Sequence, residues 1–176
     1  MVIDKTNFCF NGIKWVLLAR STDKGRSEVL RMLYSSGSFV AATDGYRAHK
    51  YQTDVLPKGL YRVITATKNL IVVEPDDTDS IFPDIDGLFL EEGEKQICDG
   101  GNLPHILKEI ILALPEDRSI NPDFLKDALS AAGDAISTPV DFTVACTSRG
   151  FIKLTNCEYE AVFTPFTIPA LCSHHS

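Results

Sequence analysis

Apolar residues recur at helical spacing in three stretches of the chain. In residues 103–114 (LPHILKEIILAL) they follow the i, i+3, i+4, i+7 pattern of an amphipathic helix. Residues 122–132 (PDFLKDALSAA) repeat that pattern, with Asn121 as the N-cap and Gly133 as the stop signal. A shorter match over residues 12–21 predicts another helix near the start of the chain.

The other apolar runs are short, rich in β-branched residues and separated by turn residues, which is typical of strands. The predicted strands are 27–34, 39–43, 46–53, 60–66, 70–74, 140–146, 151–156 and 160–168. Asp44-Gly45 between two of them is a strong hairpin signal. Residues 88–92 predict a further short strand, and 92–102 a loop.

The order of these elements repeats. The helices at 12–21 and 122–132 are each followed by three strands joined by tight turns. Two halves of this kind, each a helix plus an antiparallel meander, predict an α+β fold with the helices packed on one side of the sheets.

Bulk composition restricts the class of protein. With 176 residues, 44% of them hydrophobic, the chain suits one soluble domain. Its net charge of −7 is unlike that of a general nucleic-acid binder, which needs clustered Lys and Arg. No apolar run approaches the roughly 20 residues that span a bilayer, and no secretion signal is present, so we expect an intracellular, cytoplasmic protein without membrane contact. The five scattered cysteines indicate reduced thiols rather than disulfides or a zinc site.

Four segments carry a family resemblance, in matching order. Residues 43–48 (TDGYRA) resemble an "ATDGHRLA" stretch, and 82–84 (FPD) resemble "FPDY". Residues 120–134 resemble "FNxxYLLDxLxAL", and 162–166 (VFTPF) resemble "VVMPMR". These are segments of the bacterial sliding clamp, the beta subunit of DNA polymerase III. The resemblance implies a DNA-clamp-like fold, shortened to a single clamp-like domain over residues 1–176 with an insertion or linker at about 75–115.

In the clamp family these segments line a hydrophobic cleft that receives a short linear peptide from a polymerase or repair protein. Transferred by position, the cleft residues are Thr43, Gly45, Tyr46, Arg47, Ala48, Pro83, Leu88, Val162, Thr164, Pro165 and Phe166. Gly45 permits a turn with positive φ, and Tyr46 and Phe166 offer apolar walls. Arg47 offers donors to a peptide carbonyl or carboxylate. The competing interpretation is an ordinary hairpin in which Arg47 only pairs with Asp44 or Asp84.

The family also encircles double-stranded DNA with the basic faces of its helices. The DNA-facing candidates are Lys14, Arg20, Lys24, Arg26 and Lys126. Acidic neighbours surround the last of these, so solvated helix faces are the competing interpretation. A single-domain chain needs about six copies to close a ring of the family's size, so we expect a homo-oligomer.

Three functions remain open at this point. The first is a non-enzymatic clamp-like processivity or partner-tethering factor, and the second is a clamp-fold peptide-binding module that does not encircle DNA. The third and least favoured is a small metal-dependent enzyme using the acidic loop 75–87, which lacks the spacing of an EF-hand. Cys146 and His49 are conceivable as a nucleophile and base, but nothing in the sequence orients them. We therefore expect no catalytic residues, no metal and no cofactor.

Overall fold

Ten of the twelve strands in the described part of the chain form one antiparallel sheet that runs through both halves of the sequence. The structure is a computed structural model that describes residues 1–78, 80–90, 93–98, 103–114, 118–130, 142–147, 149–156 and 158–167. The strands are β1 (Val2–Asp4), β2 (Leu33–Ser35), β3 (Phe39–Thr43), β4 (Arg47–Gln52), β5 (Gly59–Ala66), β6 (Leu70–Asp76), β7 (Gly93–Cys98), β8 (Arg118–Ser119), β9 (Phe142–Thr147), β10 (Ile152–Thr155), β11 (Tyr159–Phe163) and β12 (Phe166–Thr167).

The order of the strands in the sheet is β1-β6-β5-β2-β3-β4-β11-β10-β9-β7, and β12 pairs separately with β8. The helices are α1 (Phe10–Val16), α2 (Asp86–Leu90), α3 (Leu103–Ala113) and α4 (Pro122–Leu129), with 3₁₀ turns at Leu17–Ala19 and Glu28–Arg31. The meander β2-β3-β4 follows α1, and the meander β9-β10-β11 follows α4. Both halves therefore have the predicted helix-plus-meander order, which confirms the α+β fold class.

The main core lies between the sheet and three of the helices. Ile13 of α1, Ile110 of α3 and Ala128 of α4 all belong to one buried cluster, together with Val40 and Val144 of the sheet. Burial of this cluster removes apolar surface from water, which favours folding. The three helices thus share one side of the sheet, as the sequence predicts.

A second, smaller cluster lies on the opposite face. Ile85 and Phe89, from α2 and the residue before it, pack on Ala41, Ala48 and Val162. The strands at the centre of the sheet are therefore covered on both faces, and this segment is the cover on the second face.

Helix α4 begins where the sequence predicts. Asn121 has extended backbone, and its side-chain oxygen accepts a hydrogen bond from the Asp123 N–H at 2.9 Å. This satisfies one of the amide groups that a helix leaves unpaired at its N-terminus. The predicted stop at Gly133 lies outside the described residues.

Three local predictions were wrong. Residues 28–31 form a 3₁₀ turn and not the first part of a strand, because the Leu30 and Met32 amides bond back to carbonyls three residues earlier. Residues 88–90 of the strand expected at 88–92 belong to α2, in which the amides of Leu88 and Phe89 both donate to the Ile85 carbonyl, and the other two residues lie outside the described ranges. The loop expected at 92–102 contains β7, which pairs with β9 at the edge of the sheet. Edge strands tolerate polar residues, which removes the usual apolar signal.

Candidate functional site

The pairing of β4 with β11 brings the two halves of the chain together. Ala48 lies opposite Val162, and Arg47 lies opposite Phe163. Beyond the last pair, the Thr164 N–H donates to the Tyr46 carbonyl at 2.8 Å. The turn at 43–46 and the segment that follows β11 are therefore neighbours, although more than a hundred residues separate them in sequence. We call this neighbourhood the β4–β11 rim.

The turn itself is held by its own side chains. Asp44 Oδ1 accepts hydrogen bonds from the Tyr46 N–H at 2.9 Å and the Arg47 N–H at 3.1 Å. Thr43 Oγ1 donates to the Arg47 carbonyl at 2.6 Å and accepts from the Gly45 N–H at 3.0 Å. Gly45 has a φ of 91°. In this conformation a residue with a side chain would be strained, which lowers stability. The backbone of the rim is therefore fixed before any ligand arrives.

Arg47 reaches across the molecule. Its Nη1 pairs with Asp127 Oδ2 of α4 at 2.6 Å, and its Nε pairs with Asp44 Oδ2 at 3.1 Å. Nη2 donates to the Leu18 carbonyl at 2.7 Å, and the guanidinium lies 4.5 Å from the centre of the Phe124 ring. The pairing with Asp44 matches the competing interpretation from the sequence, whereas the longer-range partners were not foreseen. The Arg47 guanidinium therefore mainly joins the turn to α4 through its ion pairs.

Tyr46 and Thr164 carry the exposed side chains of the rim. Tyr46 is 53% exposed, and the Arg26 guanidinium lies 4.8 Å from the centre of its ring. Thr164 is exposed, and the next residue, Pro165, is buried. A ligand on the surface therefore meets an aromatic ring with a cation on one side and a hydroxyl beside it.

The apolar residues beneath the rim are covered. Ala48 and Val162 are 1% and 2% exposed, because the 82–90 segment packs on them. Leu88 is partly buried in this packing, and Pro83 is exposed on the same segment. In this conformation a ligand can reach the edge formed by the segment but not Ala48 or Val162.

The last expected cleft residue, Phe166, is described only through its backbone, which pairs with Ser119 of β8. Residues that the sequence reasoning missed are Asp127 and Phe124, which hold Arg47 from α4. Asp127 was read only as an acidic neighbour of Lys126, since nothing in the sequence links it to a residue 80 positions away.

The expected DNA-facing residues separate into three groups. Lys14 lies on α1 and Lys126 on α4, and these helices are in contact because Trp15 Nε1 donates to the Asp127 carbonyl at 2.9 Å. Arg20 and Lys24 line a cavity of about 350 Å³ after α1. Arg26 stacks on Tyr46 instead. The three locations are therefore the contacting helices, the cavity and the side of the Tyr46 ring.

The buried histidine is a structural group. His49 stacks on Trp15 with ring centres 4.1 Å apart, and its Nδ1 lies 3.0 Å from the Trp15 carbonyl. A carbonyl can only accept, so Nδ1 carries the proton of the neutral ring. Burial lowers the pKa of His49 to about 3. Among the described residues nothing accepts from or donates to its Nε2. A group in this state and position is unsuited to act as a general base near neutral pH.

Two further observations concern other classes of protein. The described residues hold no group of three or more His, Cys, Asp or Glu that could bind a metal ion. The helices in the described ranges include none that is long and apolar enough to cross a membrane.

Comparison with known proteins finds similar solved structures but no match among family models or curated sequences. Among solved structures, the chain matches the DNA polymerase III subunit beta of Borrelia burgdorferi at 14% identity, with a TM-score of 0.60, over 96% of this chain and 63% of that one. The beta subunit from Thermotoga maritima matches at 13% identity, with a TM-score of 0.58, over 96% and 65% of the two chains. The DNA polymerase sliding clamp of Bacillus subtilis matches at 13% identity, with a TM-score of 0.59, over 94% and 63%.

At this level of identity the likeness concerns the fold. The chain has the fold of the bacterial sliding clamp. It spans a little under two thirds of the length of the clamp chains that it matches.

Proposed function

We propose that this protein is a non-enzymatic clamp-like factor that tethers a replication or repair protein, such as a DNA polymerase, through a short linear peptide. The observation that carries the proposal is the hydrogen bond between the Thr164 N–H and the Tyr46 carbonyl. It joins the two segments that the family resemblance assigns to one peptide-binding cleft. Both segments retain an exposed side chain at the junction.

The geometry favours binding along the rim. The half-exposed Tyr46 ring presents apolar area at a small cost in side-chain entropy, which suits a peptide contact. On the 82–90 segment, which covers Ala48 and Val162, Pro83 is exposed and Leu88 is partly buried. Arg47 supports the rim by fixing the turn, because three of its nitrogens already donate within the protein.

A peptide titration tests this proposal. A fluorescent peptide from the clamp-binding region of a polymerase is titrated with the protein, and anisotropy reports the complex. We expect Tyr46→Ala to weaken binding by about tenfold or more, as for an aromatic residue at the centre of an interface. Phe8→Ala is the matched control, since Phe8 is also aromatic and is 82% exposed outside the rim. Equal affinities for wild type and Tyr46→Ala would contradict the proposal.

Encirclement of DNA is the second part of the proposal, and it requires several copies of the chain. Within the described residues, β1 and β7 are the two edges of the ten-stranded sheet, and unpaired edges can pair with another copy. One chain matches about 63% of a clamp chain. A ring as large as the family's therefore needs about three copies, rather than the six of a single-domain chain.

The alternative is a peptide-binding module that does not encircle DNA. The net charge of −7 favours it, as does the contact of one candidate cation, Arg26, with the Tyr46 ring. A chain that binds the peptide as a monomer, and shows no affinity for duplex DNA at low salt, would establish this alternative.

A further inference from the structure

A cavity beside β5 remains outside the peptide proposal. Its volume is about 350 Å³, within the size range of small-molecule sites. It lies between the segment after α1, the 3₁₀ turn Glu28–Arg31 and β5. The lining residues are Arg20, Ser21, Thr22, Lys24, Glu28, Arg31, Met32, Arg62, Val63 and Ile64.

The cavity concentrates positive charge in an acidic protein. Four cationic side chains line it against the single carboxylate of Glu28, in a chain whose net charge is −7. Like charges brought together repel one another, so the arrangement favours an anion between them. Three of the four cations are arginines, whose planar donors match the oxygens of a phosphate.

Two of these arginines have unused donors. Arg31 Nε is buried and has no hydrogen-bond partner among the described residues. Arg20 Nη1 makes only a long contact of 3.5 Å to the Arg31 carbonyl. Burial lowers the pKa of Arg20, yet an arginine stays charged near neutral pH. A buried donor without an acceptor is costly, and an oxyanion in the cavity would supply acceptors to both side chains.

The third arginine is held in place. Arg62 Nη2 pairs with Asp76 Oδ1 at 2.7 Å, and the Asp76 side chain is only 1% exposed. The contact from Arg62 Nε to Glu28 Oε1 is longer, at 3.9 Å, and both side chains are about half exposed. Asp76 therefore orients the guanidinium, while Glu28 is a weak partner that an anion can replace.

A β-bulge shapes the apolar wall. The register between β5 and β6 shifts between Val63 and Thr65, so that Ile64 is the extra residue. Successive residues of a regular strand point to opposite faces, yet Arg62, Val63 and Ile64 all line the cavity. The bulge thus places apolar surface beside the arginines. A bare phosphate makes no use of such a surface, whereas the organic group of a phosphate ester can pack on it.

We propose that this cavity binds a small phosphomonoester of about mononucleotide size, with the phosphate held by Arg20, Arg31, Arg62 and Lys24 and the organic group placed against Met32, Val63 and Ile64. This site is independent of the peptide rim and of ring closure. The same chemistry could come from the phosphodiester backbone of DNA, and the experiment separates the two sources.

Isothermal titration calorimetry at low salt tests the proposal with four probes: inorganic phosphate, deoxyadenosine 5′-monophosphate, deoxyadenosine, and a short DNA duplex with 5′-hydroxyl ends. We expect the monophosphate to bind, inorganic phosphate to bind more weakly, and deoxyadenosine not to bind. Binding of the duplex alone, or of neither phosphate probe, would overturn the proposal. Equal affinity for inorganic phosphate and the monophosphate would overturn the assignment of the organic group.

Charge variants provide the second readout. Arg31→Gln is expected to weaken monophosphate binding by about tenfold or more, because it removes a charge-assisted donor. Glu28→Gln is expected to strengthen binding, since it removes the competing carboxylate. Lys68→Gln, an exposed cation at the β5–β6 turn, is the matched control and should leave the affinity unchanged. If Arg31→Gln does not fold, Lys24→Gln and Glu28→Gln provide the test. Lys24→Gln should weaken monophosphate binding and Glu28→Gln should strengthen it. If the two affinities do not change in opposite directions, the proposed site is overturned.

Discussion

Arg47 and Asp127 form an ion pair of 2.6 Å across 80 residues of sequence, and this pair ties the Asp44-Gly45 turn to α4. The two side chains are 12% and 28% exposed, so water screens the pair only in part. Trp15 of α1 bonds to the carbonyl of the same Asp127. One residue of α4 therefore connects the helix of the first half with the turn of the β4–β11 rim.

Removing one member of this pair should destabilise the protein. We expect Asp127→Asn to lower the free energy of unfolding by about 1–3 kcal/mol, because Arg47 loses an ionised acceptor in a partly buried place. Chemical denaturation measures the change. Asp123→Asn, in the exposed first turn of the same helix, is the control and should cost less than about 1 kcal/mol. Equal losses for the two variants would show that the pair contributes no more to stability than an exposed carboxylate in the first turn of the helix.

The same pair affects how the peptide experiment must be designed. Arg47→Ala would disturb the turn as well as any ligand contact, so a loss of binding in that variant has two causes. Tyr46→Ala avoids this problem, because its exposed ring contacts Arg26 and is not part of the core.

Gly12 in α1 should not tolerate a side chain. A Cβ at this position would lie 2.4 Å from atoms of the Tyr51 ring, which is itself buried. We expect Gly12→Ala to lower the free energy of unfolding by about 1–3 kcal/mol through overpacking. Gly87→Ala in α2 is the control, because no atom lies within 4 Å of its added Cβ, and helix propensity predicts a gain of up to about 1 kcal/mol. Thermal unfolding should show shifts of opposite sign, and shifts of the same sign would contradict this account.

The buried imidazole of His49 should make stability depend on pH. Its pKa is about 3 in the folded protein, below the ordinary value of 6.5, because burial disfavours the charged ring. The unfolded chain therefore binds a proton between these values that the folded protein does not, so stability is complete above pH 6.5 and falls as the pH decreases. This one group should cost about 2 kcal/mol between pH 7.5 and pH 5.

His49→Phe isolates that effect, since it keeps a ring against Trp15 but cannot be protonated. The variant loses the hydrogen bond to the Trp15 carbonyl, so it should be less stable at neutral pH, with a flatter pH profile. Denaturant unfolding followed by the fluorescence of Trp15, the only tryptophan, gives both profiles. Parallel profiles for the two proteins would show that His49 does not titrate on unfolding.

The sequence predicted the elements whose signal is local. The Asn121 cap, the helical span of α3 and the Asp44-Gly45 turn each depend on residues a few positions apart, and each lies where expected, although Ile111 of the predicted apolar stripe is exposed. The TDG segment and the segment at 162–166 could be related to each other only through the family resemblance. Their adjacency in the structure follows from the pairing of β4 with β11, a contact between distant segments.

Other features had no local signal. Arg47 finds Asp127 only after α4 packs beside the sheet, so sequence patterns gave it only the nearby partner Asp44. The basic cavity brings Arg20 and Arg31 together with Arg62 through a strand pairing and a bulge. The burial of Ala48 beneath the 82–90 segment likewise depends on α2, which the sequence predicted as a strand.

If this chain is a clamp in function as well as in fold, its mass in solution should be that of a ring. Light scattering after size-exclusion chromatography, at several protein concentrations and two salt concentrations, gives the mass of the assembly. We expect a closed assembly of about three chains whose mass does not increase further with concentration. A monomer at all concentrations would contradict encirclement by self-assembly, and only the peptide-binding rim would then remain as the proposed function.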